Sequence, residues 1–156
     1  MVIYKYDDEI KSLLYQVKGC YDIELAEVFL INYSLELSLL YKGYVVLPAP
    51  SYYKSEQQRG FNHLYEIFKL LRLPIYDVFE KTEDIKQSAN SKKDRAKISN
   101  YIRLKNNVDL TNKKILLVDD VLTTGSTMNA LINLVKEKNV KNIKVLLLSS
   151  NAFDST

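Results

Sequence analysis

Two predominantly apolar runs, Lys114 to Val118 and Ile143 to Leu148, constrain the fold more than any other feature of the chain. Neither shows the strict apolar/polar alternation of a half-solvated strand, so both predict strands covered on both faces. Between them Met128, Leu131, Leu134 and Val135 recur at helical spacing, in a helix ending near Asn139. Strand, helix and strand make a β-α-β unit, the crossover that parallel pairing requires. An earlier segment repeats the pattern. Tyr44-Val45-Val46-Leu47 is a short strand stopped by Pro48-Ala49-Pro50. Phe61, Leu64, Tyr65, Phe68 and Leu71 fall at helical spacing, and Ile75-Tyr76-Asp77-Val78-Phe79 after Pro74 reads as the next strand. The expected fold is α/β, a mostly parallel sheet flanked by helices.

The rest of the chain is placed around these two units, which occupy residues 44–150. Residues 1–43 read as a helical segment: a short helix from Asp8 to Val17, then a longer, largely buried one after Asp22 as N-cap. From Glu80 to Asn100 apolar periodicity fails and Lys86, Lys92, Lys93, Arg95 and Lys97 stand against Asp94 alone, which predicts a surface excursion. Tyr101 to Leu104 reads as an edge strand beyond it. At 156 residues with 47% hydrophobic residues, one domain is expected. One cysteine, Cys20, and one histidine, His63, leave no Cys/His zinc site to assemble, so no zinc is expected and any metal must be held by oxygens. A formal charge of +3, from 22 basic and 19 acidic residues, lacks the density of a dedicated nucleic-acid binder. No apolar stretch is long enough to span a bilayer, and a cytoplasmic protein without membrane insertion is expected.

The chemistry concentrates where the first buried run ends, at Asp119-Asp120-Val121-Leu122-Thr123-Thr124-Gly125-Ser126-Thr127. In open α/β sheets ligands bind beyond the carboxyl ends of the strands. A turn of Thr123, Thr124, Gly125, Ser126 and Thr127 entering a helix offers backbone N–H groups, hydroxyls and the positive end of the helix dipole, a cup suited to a phosphate monoester. Adjacent carboxylates would repel that phosphate. They make sense if Asp119 and Asp120 accept hydrogen bonds from the vicinal hydroxyls of a sugar or help to hold Mg2+. The implied ligand is a phosphorylated sugar. An apolar strand ending in Asp-Asp also resembles a Walker B strand, but no G-x-x-x-x-G-K-[ST] is present. A receiver domain would need more chain than the 37 residues after Asp119. A purely structural strand and cap explains one Asp and one Thr, not the whole run.

The same residues resemble the 5-phosphoribosyl-1-pyrophosphate (PRPP) motif of type I phosphoribosyltransferases at every position. A narrower resemblance, to the ComF family of competence-associated phosphoribosyltransferase-like proteins, rests on Pro48-Ala49-Pro50, Arg59-Gly60-Phe61-Asn62, Thr82, Lys86-Gln87-Ser88 and Arg95, in that order before the motif, and on Tyr6-Asp7-Asp8 through Lys18. Departures from the family pattern are the four-cysteine zinc module, which this sequence lacks, His63 in place of a Gln, Tyr101-Ile102 after Asn100, and Asn139 in place of a Gly. Asn tolerates the left-handed position that such a glycine serves.

The resemblance implies a type I phosphoribosyltransferase-like fold with a hood closing over the reaction, Mg2+ as cofactor, and PRPP as ligand. It implies the 5'-phosphate on Thr123 to Thr127 and the ribose hydroxyls on the acids. By position Pro50, Ser51 and Tyr52 are the candidate pyrophosphate loop. Arg59, whose planar fork can reach two phosphate oxygens, is the candidate catalytic cation beside Asp119 and Asp120, which would stabilise a ribosyl cation. Gln87, Arg95 and Asn100 are candidate hood contacts. His63 falls on the polar side of its helix, and no general base stands out. Two functions follow: a pentosyltransferase moving phosphoribose from PRPP to an acceptor with release of pyrophosphate, or a non-catalytic accessory of DNA uptake that contacts single-stranded DNA or competence-machinery proteins through the Lys-rich excursion. Most of the 12 tyrosines are read as core residues.

Overall fold

The computed structural model describes residues 1–51, 60–81 and 101–151. The elements are β1 (Val2–Lys5), α1 (Asp8–Gly19), a 3-10 turn (Glu24–Phe29), α2 (Ser34–Leu40) and β2 (Tyr44–Pro48). After these come α3 (His63–Phe68) with a 3-10 extension (Lys69–Leu71), β3 (Phe79–Lys81), β4 (Ile102–Leu104), β5 (Lys114–Leu122), α4 (Ser126–Lys136) and β6 (Asn142–Ser150). Four strands form one sheet in the order β1-β6-β5-β2, every neighbour parallel. The two runs that predicted doubly covered strands lie at its centre. Ile115, Leu116, Leu117 and Val118 are all fully buried, so neither face of β5 meets water. Each such side chain contributes about 2 kcal/mol relative to exposure. α4 packs its Met128, Leu131 and Val135 face into the same core and is followed by Asn139 at φ +50°, the left-handed position expected there.

β3 and β4 form a separate antiparallel ribbon, with Phe79 opposite Leu104. The expected strand at Ile75 to Phe79 is divided. Ile75 makes a single parallel bridge to Val46, and only Phe79 onward pairs as a strand. Between them Tyr76, whose N–H donates to the Val46 carbonyl at 2.9 Å, and Asp77 are exposed.

The segment 1–43, read as helical throughout, opens with a strand. β1 is four residues long, too short to show a period, and its partner lies at the other end of the chain, with Val2 opposite Leu147 and Tyr4 opposite Ser149. α1 starts as expected, the Asp7 carboxylate accepting from the Ile10 N–H at 2.9 Å. The single long helix after Asp22 is instead the 3-10 turn and the short α2, and Ile23, without a side-chain cap, precedes the turn. Nor is this region largely buried: Phe29, Leu30 and Leu37 enter the core, whereas Ile31, Leu35, Leu39 and Leu40 are exposed. Apolar residues spread around a helix exceed what one packed face can bury. The tyrosines divide likewise, Tyr41 and Tyr44 in the core but Tyr15, Tyr21, Tyr33, Tyr65 and Tyr76 at the surface.

Candidate functional site

Parallel pairing brings the carboxyl ends of β2 and β5 together. Pro48 pairs with Val118, and the Ala49 N–H donates to the Val118 carbonyl at 2.9 Å. Pro50 and Ser51 therefore leave the sheet beside Asp119 and Asp120, and β5 continues into Thr123 to Thr127. Tyr52, Arg59, Gln87, Arg95 and Asn100 lie outside the described residues.

The turn after β5 is built by Gly125, at φ +72° and ψ −1°, a left-handed conformation that starts α4 without a capping side chain. Its carbonyl accepts the Asn129 N–H at 2.9 Å, and the Thr124 and Ser126 hydroxyls lie 2.9 Å apart. Thr123 and Thr124 are exposed and Ser126 and Thr127 half-buried, so this hydroxyl-rich turn is open at the positive end of an 11-residue helix. Gly125→Ala should cost about 1 kcal/mol in urea denaturation. The cost is conformational, because a Cβ there would meet Leu122 and Asn129 only at ordinary contact distances of 3.8 and 4.0 Å.

The two acids have separate environments. Consecutive strand residues project to opposite faces of a sheet. Asp120 is buried on the side of α1 and α3: its Oδ2 accepts from Lys18 Nζ and lies 3.1 Å from His63 Nε2, while its Oδ1 accepts the Val121 N–H at 2.7 Å. The Ser149 hydroxyl donates to its backbone carbonyl at 3.0 Å. Burial alone would raise the Asp120 pKa, but the His63 hydrogen bond and the Lys18 charge outweigh it and hold the carboxyl well below the usual range. Asp119 is half-buried, with Oδ1 accepting the Asp120 N–H at 2.9 Å. Its pKa is pushed up to about 7, first by burial and then by the neighbouring Asp120 charge.

The sign of that shift gives a test. Between about pH 4 and 7 the folded protein keeps a proton on Asp119 that the unfolded chain has released, so its contribution to stability falls as pH rises through this window and is level above it. The difference in thermal midpoint between the ligand-free protein and Asp119→Asn should therefore shift against the unsubstituted protein from pH 5 to pH 7.5, measured by scanning calorimetry.

These acids do not form a cage for a protein-held Mg2+, which wants six oxygens. Both Asp120 oxygens are engaged, Asp119 Oδ1 already accepts a backbone N–H, and among the described residues no group of three or more His, Cys, Asp or Glu is poised around an ion. As a single protein contact to a Mg2+ carried in on phosphate oxygens, Asp119 fits.

A phosphoribosyl transferase domain family model matches residues 58–152, more than half of the chain. Among relatives, the competence protein ComFC of Streptococcus pneumoniae is 32% identical over 149 residues, covering 94% of this chain and 66% of that protein. ComFC of Bacillus subtilis is 30% identical over 138 residues, covering 87% of this chain and 57% of that protein. The chain belongs to the ComF family of phosphoribosyltransferase-like proteins. It thus spans somewhat under two thirds of the length of these ComFC relatives. The fold is that of the type I phosphoribosyltransferases: a hypoxanthine phosphoribosyltransferase from Staphylococcus aureus superposes with a TM-score of 0.53 at 13% identity, over 86% of this chain and 70% of that one.

For this ComF-family chain, sequence reasoning missed two side chains. His63, read as lying on the polar side of its helix, is buried. The signal was its spacing, four residues before Ile67 and five before Phe68, both in the core. Lys18 carried no local signal, because its partner is 102 residues away.

Proposed function

We propose that the protein binds PRPP at the carboxyl end of β5 and transfers its phosphoribosyl group to an acceptor nucleophile, releasing pyrophosphate. The observation that carries this reading is the run Thr123 to Thr127, whose hydroxyls and helix-start N–H groups open beside Asp119 in a chain of phosphoribosyltransferase family. In this reading the 5'-phosphate sits in that cup and the ribose hydroxyls donate to Asp119. Asp120, paired with Lys18 and held by His63, acts from behind by fixing the strand end that presents Asp119. Pro50 and Ser51 border the diphosphate, with Tyr52 and Arg59 as its further contacts and Gln87, Arg95 and Asn100 as the hood. In the transfer, the bond from the anomeric carbon to pyrophosphate breaks, the acceptor forms its own bond to that carbon, and the acceptor loses a proton to solvent. Positioning and electrostatics carry such a loose transition state. Mg2+ supplies charge neutralisation of the leaving diphosphate.

The relatives named competence proteins support a role in competence, which in this reading is played in the cytoplasm during DNA uptake, next to that machinery or its single-stranded DNA. No described helix is long and apolar enough to cross a membrane. The test is calorimetric titration with PRPP in Mg2+ buffer, followed by a pyrophosphate-release assay over a panel of bases and amines. Saturable binding lost in Asp119→Asn supports the site. Release above that variant's level supports transfer, and binding without release leaves a PRPP-sensing role.

A further inference from the structure

Asp120, the second acid of the pair, is held on both oxygens by the protein's own groups. Two neighbouring carboxylates at the mouth of a phosphate cup need a cation, since each repels the other and both repel a ligand carrying a dianion. Here one is already built in. Lys18 follows Val17, whose side chain, with that of Leu14, anchors α1 in the core, so the helix delivers an ammonium to a fixed point against Asp120 Oδ2. The Lys18 side chain remains 35% exposed while that of Asp120 is 10% exposed, which places the charge at the boundary between the buried acid and solvent. His63 holds the same oxygen from α3, and the Val121 N–H holds the other. Asp120 is thereby committed to the protein's own groups, while Asp119, whose Oδ1 accepts the Asp120 N–H, carries no such built-in cation of its own among the described residues.

Resting on the phosphoribosyl reading above, we propose that Lys18 is the resident counter-cation of this site. By neutralising Asp120 it lets the pocket hold a ribose 5-phosphate group without any divalent metal. The larger effect of metal then falls on PRPP, whose diphosphate ribose 5-phosphate lacks. Lys18 is a positioning residue, acting through Asp120 rather than on the ligand.

The test is calorimetric titration with ribose 5-phosphate and with PRPP, each in EDTA and in Mg2+, on the full chain and on Lys18→Met and Lys18→Arg. The unsubstituted protein should bind ribose 5-phosphate with affinities in the two buffers that agree within about threefold, while PRPP binding strengthens with Mg2+. Lys18→Met should weaken ribose 5-phosphate binding by about tenfold or more in EDTA and regain most of it in Mg2+, whereas Lys18→Arg should stay within about threefold of the original. A general loosening of the fold would produce neither the metal rescue nor the rescue by arginine. Unsubstituted protein whose ribose 5-phosphate binding strengthens more than threefold with Mg2+, or Lys18→Met that binds normally in EDTA, overturns the proposal. The first of these outcomes is decisive even if Lys18→Met fails to fold. If neither sugar phosphate binds in either buffer, the phosphoribosyl reading itself falls and this inference with it.

Discussion

Asp120→Ala should lower the unfolding free energy by about 3 kcal/mol, read from urea denaturation near pH 7. The size follows from what the substitution leaves behind. Removing one partner of a buried ion pair costs about 3 to 5 kcal/mol because the other stays desolvated and uncompensated. The lower end applies because Lys18 can turn toward water. His63 cannot do so as easily, being buried at the start of α3 with its Nε2 directed at the missing oxygen. The carboxylate joins β5 to α1 and to α3, so the loss falls on the packing of residues 1–43 against the sheet. Lys18→Met, which removes the more exposed partner, should cost about 1 kcal/mol. Equal losses for the two variants would mean that the buried His63 contact contributes little.

The second large effect has opposite signs for ligand and for fold. Ser126→Asp places a carboxylate in the first turn of α4, where the helix dipole favours negative charge, and should stabilise the ligand-free protein by about 0.5 kcal/mol. The same carboxylate would stand within about 4 Å of a phosphate seated on that turn, a repulsion of about 4 kcal/mol at an effective dielectric constant near 20. Binding of ribose 5-phosphate should fall at least a hundredfold while the thermal midpoint rises. This combination separates a phosphate seat from a structural cap, because a cap that only served the helix would be improved by aspartate at no cost.

The parts of the fold that were legible before the structure share one property: their information is local. β5, the turn at Gly125 and α4 are announced by an apolar run, a glycine with hydroxyl neighbours and an apolar spacing of three and four residues, all within 23 positions of each other. The doubly buried centre of the sheet follows from the same stretch. What was not legible depends on partners distant in sequence. β1 is a strand because β6 offers it an edge. α2 exposes leucines that its composition would bury, because only Leu37 faces the core. The different environments of two adjacent aspartates arise from Lys18 and His63, 102 and 57 residues from Asp120. Strand alternation could have suggested that Asp119 and Asp120 face opposite ways. It could not have said which of them would be neutralised from within.

The central claim is that the carboxyl end of β5 is a phosphoribosyl site, with the phosphate on Thr123 to Thr127 and the sugar on Asp119. Its most direct test is a calorimetric titration of PRPP in Mg2+ into the unsubstituted protein and into Ser126→Asp, at pH 7.5. The account predicts saturable one-to-one binding that Ser126→Asp abolishes while remaining folded. No binding by the unsubstituted protein, or binding unchanged in Ser126→Asp, would contradict it.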